Sequence, residues 1–330
     1  MKYTLKIGNK IMFCNECGAK IASNVDSCDC LTGSYEGYLE LGVFEFKCKE
    51  FDKANEYFEK AIKKNPIADM PWFNKALILE MQGETEEALK CYERAIELNP
   101  ENPDTWINKG NMLAVSGKWD KALICYETAH EINPEDSGPL FNISMALSNL
   151  GNQKEALFCY DIAISINPYD YKSVCNNGVL LGNKFNKWEE ALYYFDKALE
   201  INARDTISLI NKAEALFELG KQNEALQYFD DAIKIEPDNA KTWVNKGVIF
   251  GKMDRHDEAI QCFDHALEIN PNDAKCWSNK AFTLRKMGRF ENAVQYYDRA
   301  LEIEPDDEDI KADREDCLQD LSKNRNTDKR

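Results

Sequence analysis

A proline recurs every 34 residues through most of this chain. It stands at Pro66, Pro100, Pro134 and Pro168, and again at Pro237, Pro271 and Pro305. Proline cannot continue a helix, so each one marks the end of a unit. An alanine keeps the same register at Ala54, Ala88, Ala122, Ala156, Ala191, Ala225, Ala259 and Ala293. Four residues after each comes a ring: Phe58, Tyr92, Tyr126, Tyr160, Phe195, Phe229, Phe263 and Tyr297. Three further on comes another alanine, from Ala61 to Ala300. A unit this small cannot bury its apolar face alone, so self-similarity at this period means stacked units.

The first half of each unit has its own pattern. Trp72, Trp106, Trp243 and Trp277 share one position, filled elsewhere by Tyr38, Leu140, Val174 and Leu209. Four residues later the side chain is small: Gly42, Ala76, Gly110, Ser144, Gly178, Ala213, Gly247 and Ala281. A bulky residue, a small one, Ala-x3-aromatic-x2-Ala and a closing proline together resemble the tetratricopeptide repeat, over residues 35–307. The resemblance implies an all-α, right-handed superhelical solenoid of eight helical hairpins. It also implies that first-helix side chains line the concave face. The units begin at residues 35, 69, 103, 137, 171, 206, 240 and 274. The fifth carries one extra residue between Leu181 and Ala191, and has Ala203 where a proline is expected. Residues 308–322 read as a helix that caps the last hairpin, and residues 323–330 as a disordered tail.

We number each unit from its first residue. A helix turns about 100° per residue, so position 6 points away from the tryptophans at position 4. Positions 2, 6, 9 and 13 share one stripe. Position 6 holds Asn74, Asn108, Asn142, Asn176, Asn211, Asn245 and Asn279, with Glu40 in the first unit. Asparagine mildly disfavours a helix interior, so seven in register need a cause. A carboxamide both donates and accepts. A row of them can satisfy the alternating N–H and C=O groups of an extended peptide, which makes these seven the candidate peptide-binding residues. Beside them lie Phe73, Ile107, Phe141, Ile210 and Val244 at position 5, and Leu77, Met145, Val179, Val248 and Phe282 at position 9. Related arrays clamp a chain-terminal carboxylate between cations. The nearest match here is Asn111, Asn142 and Lys172, but Ile107 and Asn176 stand where cations are required. Position 7 is lysine in five units: Lys75, Lys109, Lys212, Lys246 and Lys280. Such a stem packs beside the core while its ammonium reaches solvent or a carboxylate.

The 12 cysteines form two groups. Cys14, Cys17, Cys28 and Cys30 crowd the N-terminus, and residues 12–34 resemble a short zinc ribbon preceded by an extension, 1–11. Four thiolates suit tetrahedral zinc, so a structural zinc ion is the expected cofactor, although Cys28-Asp29-Cys30 is tighter than the usual second knuckle. Cys91, Cys125, Cys159 and Cys262 recur in register on second helices. Packed helices stand about 8–10 Å apart, too far for one ion to bridge them, so these read as small buried thiols.

With 41 basic and 58 acidic residues the chain carries a formal charge of −17. That charge repels phosphate backbones and anionic lipid heads, so nucleic acid and membrane surfaces are poor partners. No apolar run has the length of a membrane span, nor does the N-terminus read as a signal peptide; a cytoplasmic location is expected. Histidines are confined to His130, His256 and His265, and no phosphate-loop, zinc-protease or nucleophile-elbow motif is present. The expected function is non-enzymatic: a scaffold that binds a protein or extended peptide. The alternative is a zinc-dependent regulatory subunit of a nucleic-acid-associated complex, with the ribbon as the contact.

Overall fold

The computed structural model describes residues 33–327, with side chains as far as 324, and the backbone of three short strands before them. The strands are β1 (Tyr3–Lys6), β2 (Ile11–Cys14) and β3 (Lys20–Ile21), in one antiparallel sheet of order β1-β2-β3. Tyr3 lies opposite Cys14, and Met12 opposite Ile21. The pairing therefore crosses the expected boundary at Met12, and the chain is all-α only from the repeats onward. Cys17, Cys28, Cys30 and the side chain of Cys14 lie outside the described residues.

The chain divides into two units, Met1–Asn167 and Pro168–Arg330. The first contains α1 (Tyr35–Lys47), α2 (Phe51–Lys64), α3 (Met70–Met81), α4 (Thr85–Leu98), α5 (Pro103–Val115), α6 (Trp119–Ile132), α7 (Ser137–Asn149) and α8 (Gln153–Ile166). The second contains α9 (Tyr171–Phe185), α10 (Trp188–Ile201), α11 (Thr206–Glu218), α12 (Gln222–Ile235), α13 (Ala240–Lys252), α14 (His256–Ile269), α15 (Ala274–Lys286), α16 (Phe290–Ile303) and α17 (Glu308–Thr327). Each odd-numbered helix up to α15 packs against the helix that follows it.

Local chemistry sets these boundaries. Most first helices begin at a side chain that accepts a backbone N–H: Ser34, Asn102, Asp136, Asp170, Asp205, Asn239 and Asp273. Such caps satisfy donors that the first turn leaves free. Asp69 differs. It adopts helical backbone angles and its carboxylate accepts from Asn99 Nδ2 at 3.0 Å, so α3 starts at Met70. Each first helix ends in a tight turn through a left-handed residue, as at Gly117 with φ 72°. The next N–H then bonds a carbonyl five residues back, as from Lys118 to Leu113 at 2.9 Å.

The fifth hairpin absorbs its extra residue differently from a simple turn insertion. Helix α9 has 15 residues where α11 has 13. The left-handed residue is Asn186, φ 54°, and Lys187 N–H reaches six residues back to Leu181. Only Asn186 and Lys187 then separate α9 from α10. A Cβ on Gly182 would fall 2.4 Å from the Trp188 ring, so this longer helix needs glycine there. The indole donates to Asn186 Oδ1 at 2.7 Å, which fixes the ring over the turn.

The core of each hairpin is the meeting of position 8 with the recurring ring. Cβ atoms built on Gly42 and Gly110 would sit 2.4 Å from Phe58 and 2.5 Å from Tyr126. The absence of a side chain lets the two helices close over the ring. Where the ring is tyrosine its hydroxyl can find a partner on the first helix, as from Tyr92 to Glu80 and from Tyr126 to Asn111, both at 2.9 Å. Burial and the Glu80 carboxylate push the Tyr92 phenol far up. Burial pushes Tyr126 up to about 12.

The position-7 lysines join successive hairpins. Each ammonium reaches an acidic residue on the second helix of the preceding hairpin: Lys75 to Glu59 (2.9 Å), Lys109 to Glu93 (3.2 Å) and Lys212 to Asp196 (2.5 Å). Lys246 meets Asp230 and Lys280 meets Asp264 in the same way, each at 2.6 Å. Four of these ammonium groups also stand near rings, with Lys280 Nζ 4.1 Å from the Tyr296 centroid. Desolvation pulls the Lys280 pKa down, but Asp264 and Tyr296 outweigh it and the net shift is upward.

Helix α17 keeps this register. Its Arg314 meets Asp298 at 2.5 Å, at the place where a further hairpin would carry its lysine. Ile310 and Cys317 are buried in one cluster with Leu284, Tyr297 and Ala300. The helix continues past the expected end at 322 to Thr327. No proline or glycine occurs in that stretch to stop it.

Candidate peptide-binding face

The seven position-6 asparagines lie on α3, α5, α7, α9, α11, α13 and α15. Asn74 is buried and the other six are half-buried. In three of them Nδ2 donates to the carbonyl four residues back: Asn74 to Met70 (2.8 Å), Asn108 to Asp104 (2.9 Å) and Asn211 to Ile207 (2.9 Å). A carbonyl only accepts, so the amide orientation is fixed and Oδ1 is the free end. Asn245 spends its Nδ2 on Glu214 of the preceding first helix, at 3.0 Å. Burial raises the Glu214 carboxyl pKa against the pull of Lys252 and Lys241. Among the described residues Asn142, Asn176 and Asn279 make no such bond. The row is therefore unequal, with three whole carboxamides and four acceptors.

The apolar neighbours divide by position. Those at position 5 pack inward: Ile210 is buried, and Phe73 and Phe141 meet the core rings Tyr92 and Tyr160 edge-on at 6.1 and 6.0 Å. Those at position 9 are more open, and Phe282 is 43% exposed. Position 5 thus belongs to the core and position 9 to the surface.

In the second unit the first helices lie side by side, α9 by α11, α11 by α13, α13 by α15 and α15 by α17. Two cavities open along this row. One, of 400 Å³, is lined by Asn183, Trp188, Glu214, Glu218, Asn245 and Lys252 among others. The other, of 270 Å³, is lined by Asn279, Phe282, Lys286 and His256, with Phe263 at its wall. Val248 and Lys252 line both, so the cavities adjoin. Sequence reasoning reached the asparagines but passed over Lys252 and Lys286 at position 13. It also missed Asp309, Asp313, Asp316 and Asp320, which continue the stripe on α17 at positions 2, 6, 9 and 13. The stripe was the available signal, but only its asparagine column stood out.

The recurring thiols offer no second site. Cys91, Cys125 and Cys262 are buried, and burial pushes the Cys262 thiol up to about 11. A thiol held protonated is a poor ligand and a poor nucleophile. Among the described residues no cluster of three His, Cys, Asp or Glu side chains is arranged to hold a metal ion.

Tetratricopeptide repeat models match residues 35–67, 71–102, 103–136, 138–170, 240–273 and 274–307, and a further TPR repeat model matches 213–254. These ranges take in well over half of the chain. It belongs to the tetratricopeptide repeat family. Residues 171–212 fall between the matched ranges, and there the helix pair α9–α10 carries the displaced register. This tetratricopeptide repeat protein is 47% identical over 53 residues to an uncharacterised protein of Methanocaldococcus jannaschii. That match takes in 16% of the chain, and the chain spans only 62% of the relative's length. A tetratricopeptide repeat protein from Parabacteroides merdae shares the fold at a TM-score of 0.64 and 22% identity, over 76% of this chain and 98% of that one. A chain of the APC/C hetero-tetramer Cut9–Hcn1 does so at 0.60 and 17%, over 88% of this chain and 57% of that one. At these identities the likeness is one of fold. No helix among the described residues is long and apolar enough to cross a membrane.

Proposed function

We propose that this tetratricopeptide repeat protein is a non-enzymatic scaffold. In this reading its eight hairpins hold a peptide or protein segment along the concave face formed by first helices. One observation carries the reading. Asn142, Asn176 and Asn279 hold uncommitted carboxamides in register, and in Asn108, Asn211 and Asn245, which are half-buried, Nδ2 is already spent and the Oδ1 acceptor is left over. A packed helix surface has no use for such groups, whereas an extended backbone supplies their complement. Replacing the three uncommitted asparagines by alanine removes no intramolecular bond. The triple variant Asn142→Ala/Asn176→Ala/Asn279→Ala should therefore keep its circular dichroism and thermal midpoint. It should also lose the proteins that the wild-type chain retains in affinity capture. Retention of the same proteins by both would make the asparagines structural.

We further propose that Cys14, Cys17, Cys28 and Cys30 bind one structural zinc ion. The support is their spacing, together with the antiparallel pairing of β2, which ends at Cys14, with β3. Metal analysis of the purified chain should give about one zinc per molecule, lost in Cys14→Ser/Cys17→Ser. Equal zinc in both proteins would sink the assignment.

A further inference from the structure

The 270 Å³ cavity has a chemistry of its own. It lies between α13, α14 and α15, all within the second unit. Val248, Phe263 and Phe282 give it apolar walls, and Lys252 and Lys286 are cations at its edge. Lys286 pairs with no carboxylate among the described residues, and its ammonium stands 5.2 Å from the Phe282 ring centroid. Lys252 has one loose partner, Glu218 at 3.3 Å, with both side chains substantially exposed. His256 Nδ1 is buried without a hydrogen-bond partner. Asn279 adds one of the uncommitted carboxamides, and Thr283 bonds back to Asn279 O at 2.9 Å. In a chain of net charge −17, a spot with two such lysines and no carboxylate in its lining is locally inverted.

We infer that this cavity selects an acidic segment of the bound peptide, with two carboxylates flanking an apolar side chain. This rests on the peptide-binding reading above and names its chemical class. The spacing follows from geometry. Packed helices are about 8–10 Å apart, and a chain in the polyproline II conformation advances about 3.1 Å per residue and returns its side chains to the same side every three. A peptide crossing from α13 to α15 in this form therefore spends about three residues per helix. Carboxylates three places apart meet Lys252 and Lys286, and an apolar residue between them settles against Val248 and Phe282. The adjoining cavity at α11 lets the chain run on past Lys252, which favours an internal acidic segment over a chain end. Beyond α15 the stripe turns acidic at Asp313, Asp316 and Asp320, where Arg285 is already held by Asp320 at 2.7 Å. Acidic residues of the ligand are thus confined to the α13–α15 crossing.

Fluorescence polarisation on the full chain tests this with three short, acetylated and amidated peptides. They share a leucine flanked by two residues three places apart, which are Glu in one, Gln in the next and Lys in the third. The Glu peptide should bind about tenfold more tightly than the Gln peptide at low salt. That advantage should shrink as salt rises. Lys252→Ala/Lys286→Ala should erase it, while Lys121→Ala, an exposed lysine on α6, should not. Equal binding of the Glu and Gln peptides, still lost in Asn245→Ala/Asn279→Ala, would overturn the charge selection and leave the groove standing. Binding of none of the three would count against both. A Glu advantage seen only in a second Glu and Gln pair with free C-termini would assign the site to a chain end and overturn the internal segment.

Discussion

Truncation after Asp307 should make the second unit self-associate and melt early. Without α17, Leu284, Tyr297 and Ala300 lose their cover, and Arg285 and Asp298 lose their partners. Ile310 is 4% exposed and Cys317 fully buried, so both belong to the core although they lie outside any hairpin. Burial of an isoleucine is worth about 1.5–3 kcal/mol, and the uncovered rings add to that. A terminal repeat must also present a polar outer face to stay in solution. Size-exclusion chromatography with light scattering, and a thermal melt, would show the change. A truncated chain that stays monomeric with an unchanged midpoint would mean that α17 is an ornament.

The second large effect is expected at Gly247. A Cβ there would fall 2.7 Å from Phe263 Cε1, and three ring atoms lie within 3.1 Å of it. Phe263 is 1% exposed and has nowhere to go. Gly247→Leu should therefore force α13 away from α14 and destabilise by more than the roughly 1–3 kcal/mol typical of overpacking. Gly247→Ala adds only that first Cβ and should cost less than the leucine, as the next hairpin packs Ala281 in one cluster with Tyr297. Each hairpin is supported only by its neighbours, so the leucine variant should also destroy the cavity between α13, α14 and α15. Denaturant unfolding of the two variants side by side provides the measurement. Equal midpoints would refute the close-approach account.

The repeats were legible because their causes are local and periodic. Proline at the end of a unit, a small residue four after a bulky one and a ring at fixed spacing each act within a single hairpin, so the sequence carries them whole. The fifth hairpin shows the limit. Counting finds the extra residue, but only packing shows that α9 takes it up, because that depends on the Trp188 ring lying over Gly182. The asparagine column was visible for the same reason as the core. What each carboxamide does was not, since Asn245 turns to Glu214 on another helix while Asn279 is left uncommitted. The position-7 lysines reveal their partners only once second helices are set against the next first helix. Lysine stands at position 13 in only three units, as Lys47, Lys252 and Lys286, too few to stand out against the charged background of the surface.

The lysine–carboxylate junction has a consequence for how such a chain changes length. Its two halves sit on successive hairpins in constant register, and α17 repeats the connection through Arg314. Excision of residues 206–239 would bring Lys246 to the place Lys212 holds opposite Asp196. Duplication of the same stretch would again join like to like. The coupling is universal along most of the stack, so whole hairpins can be gained or lost without inventing a new contact. Ile143 replaces the lysine in the fourth hairpin, and there the fitting is no longer interchangeable. A lineage could thus lengthen or shorten its reach at either end while the middle keeps its order.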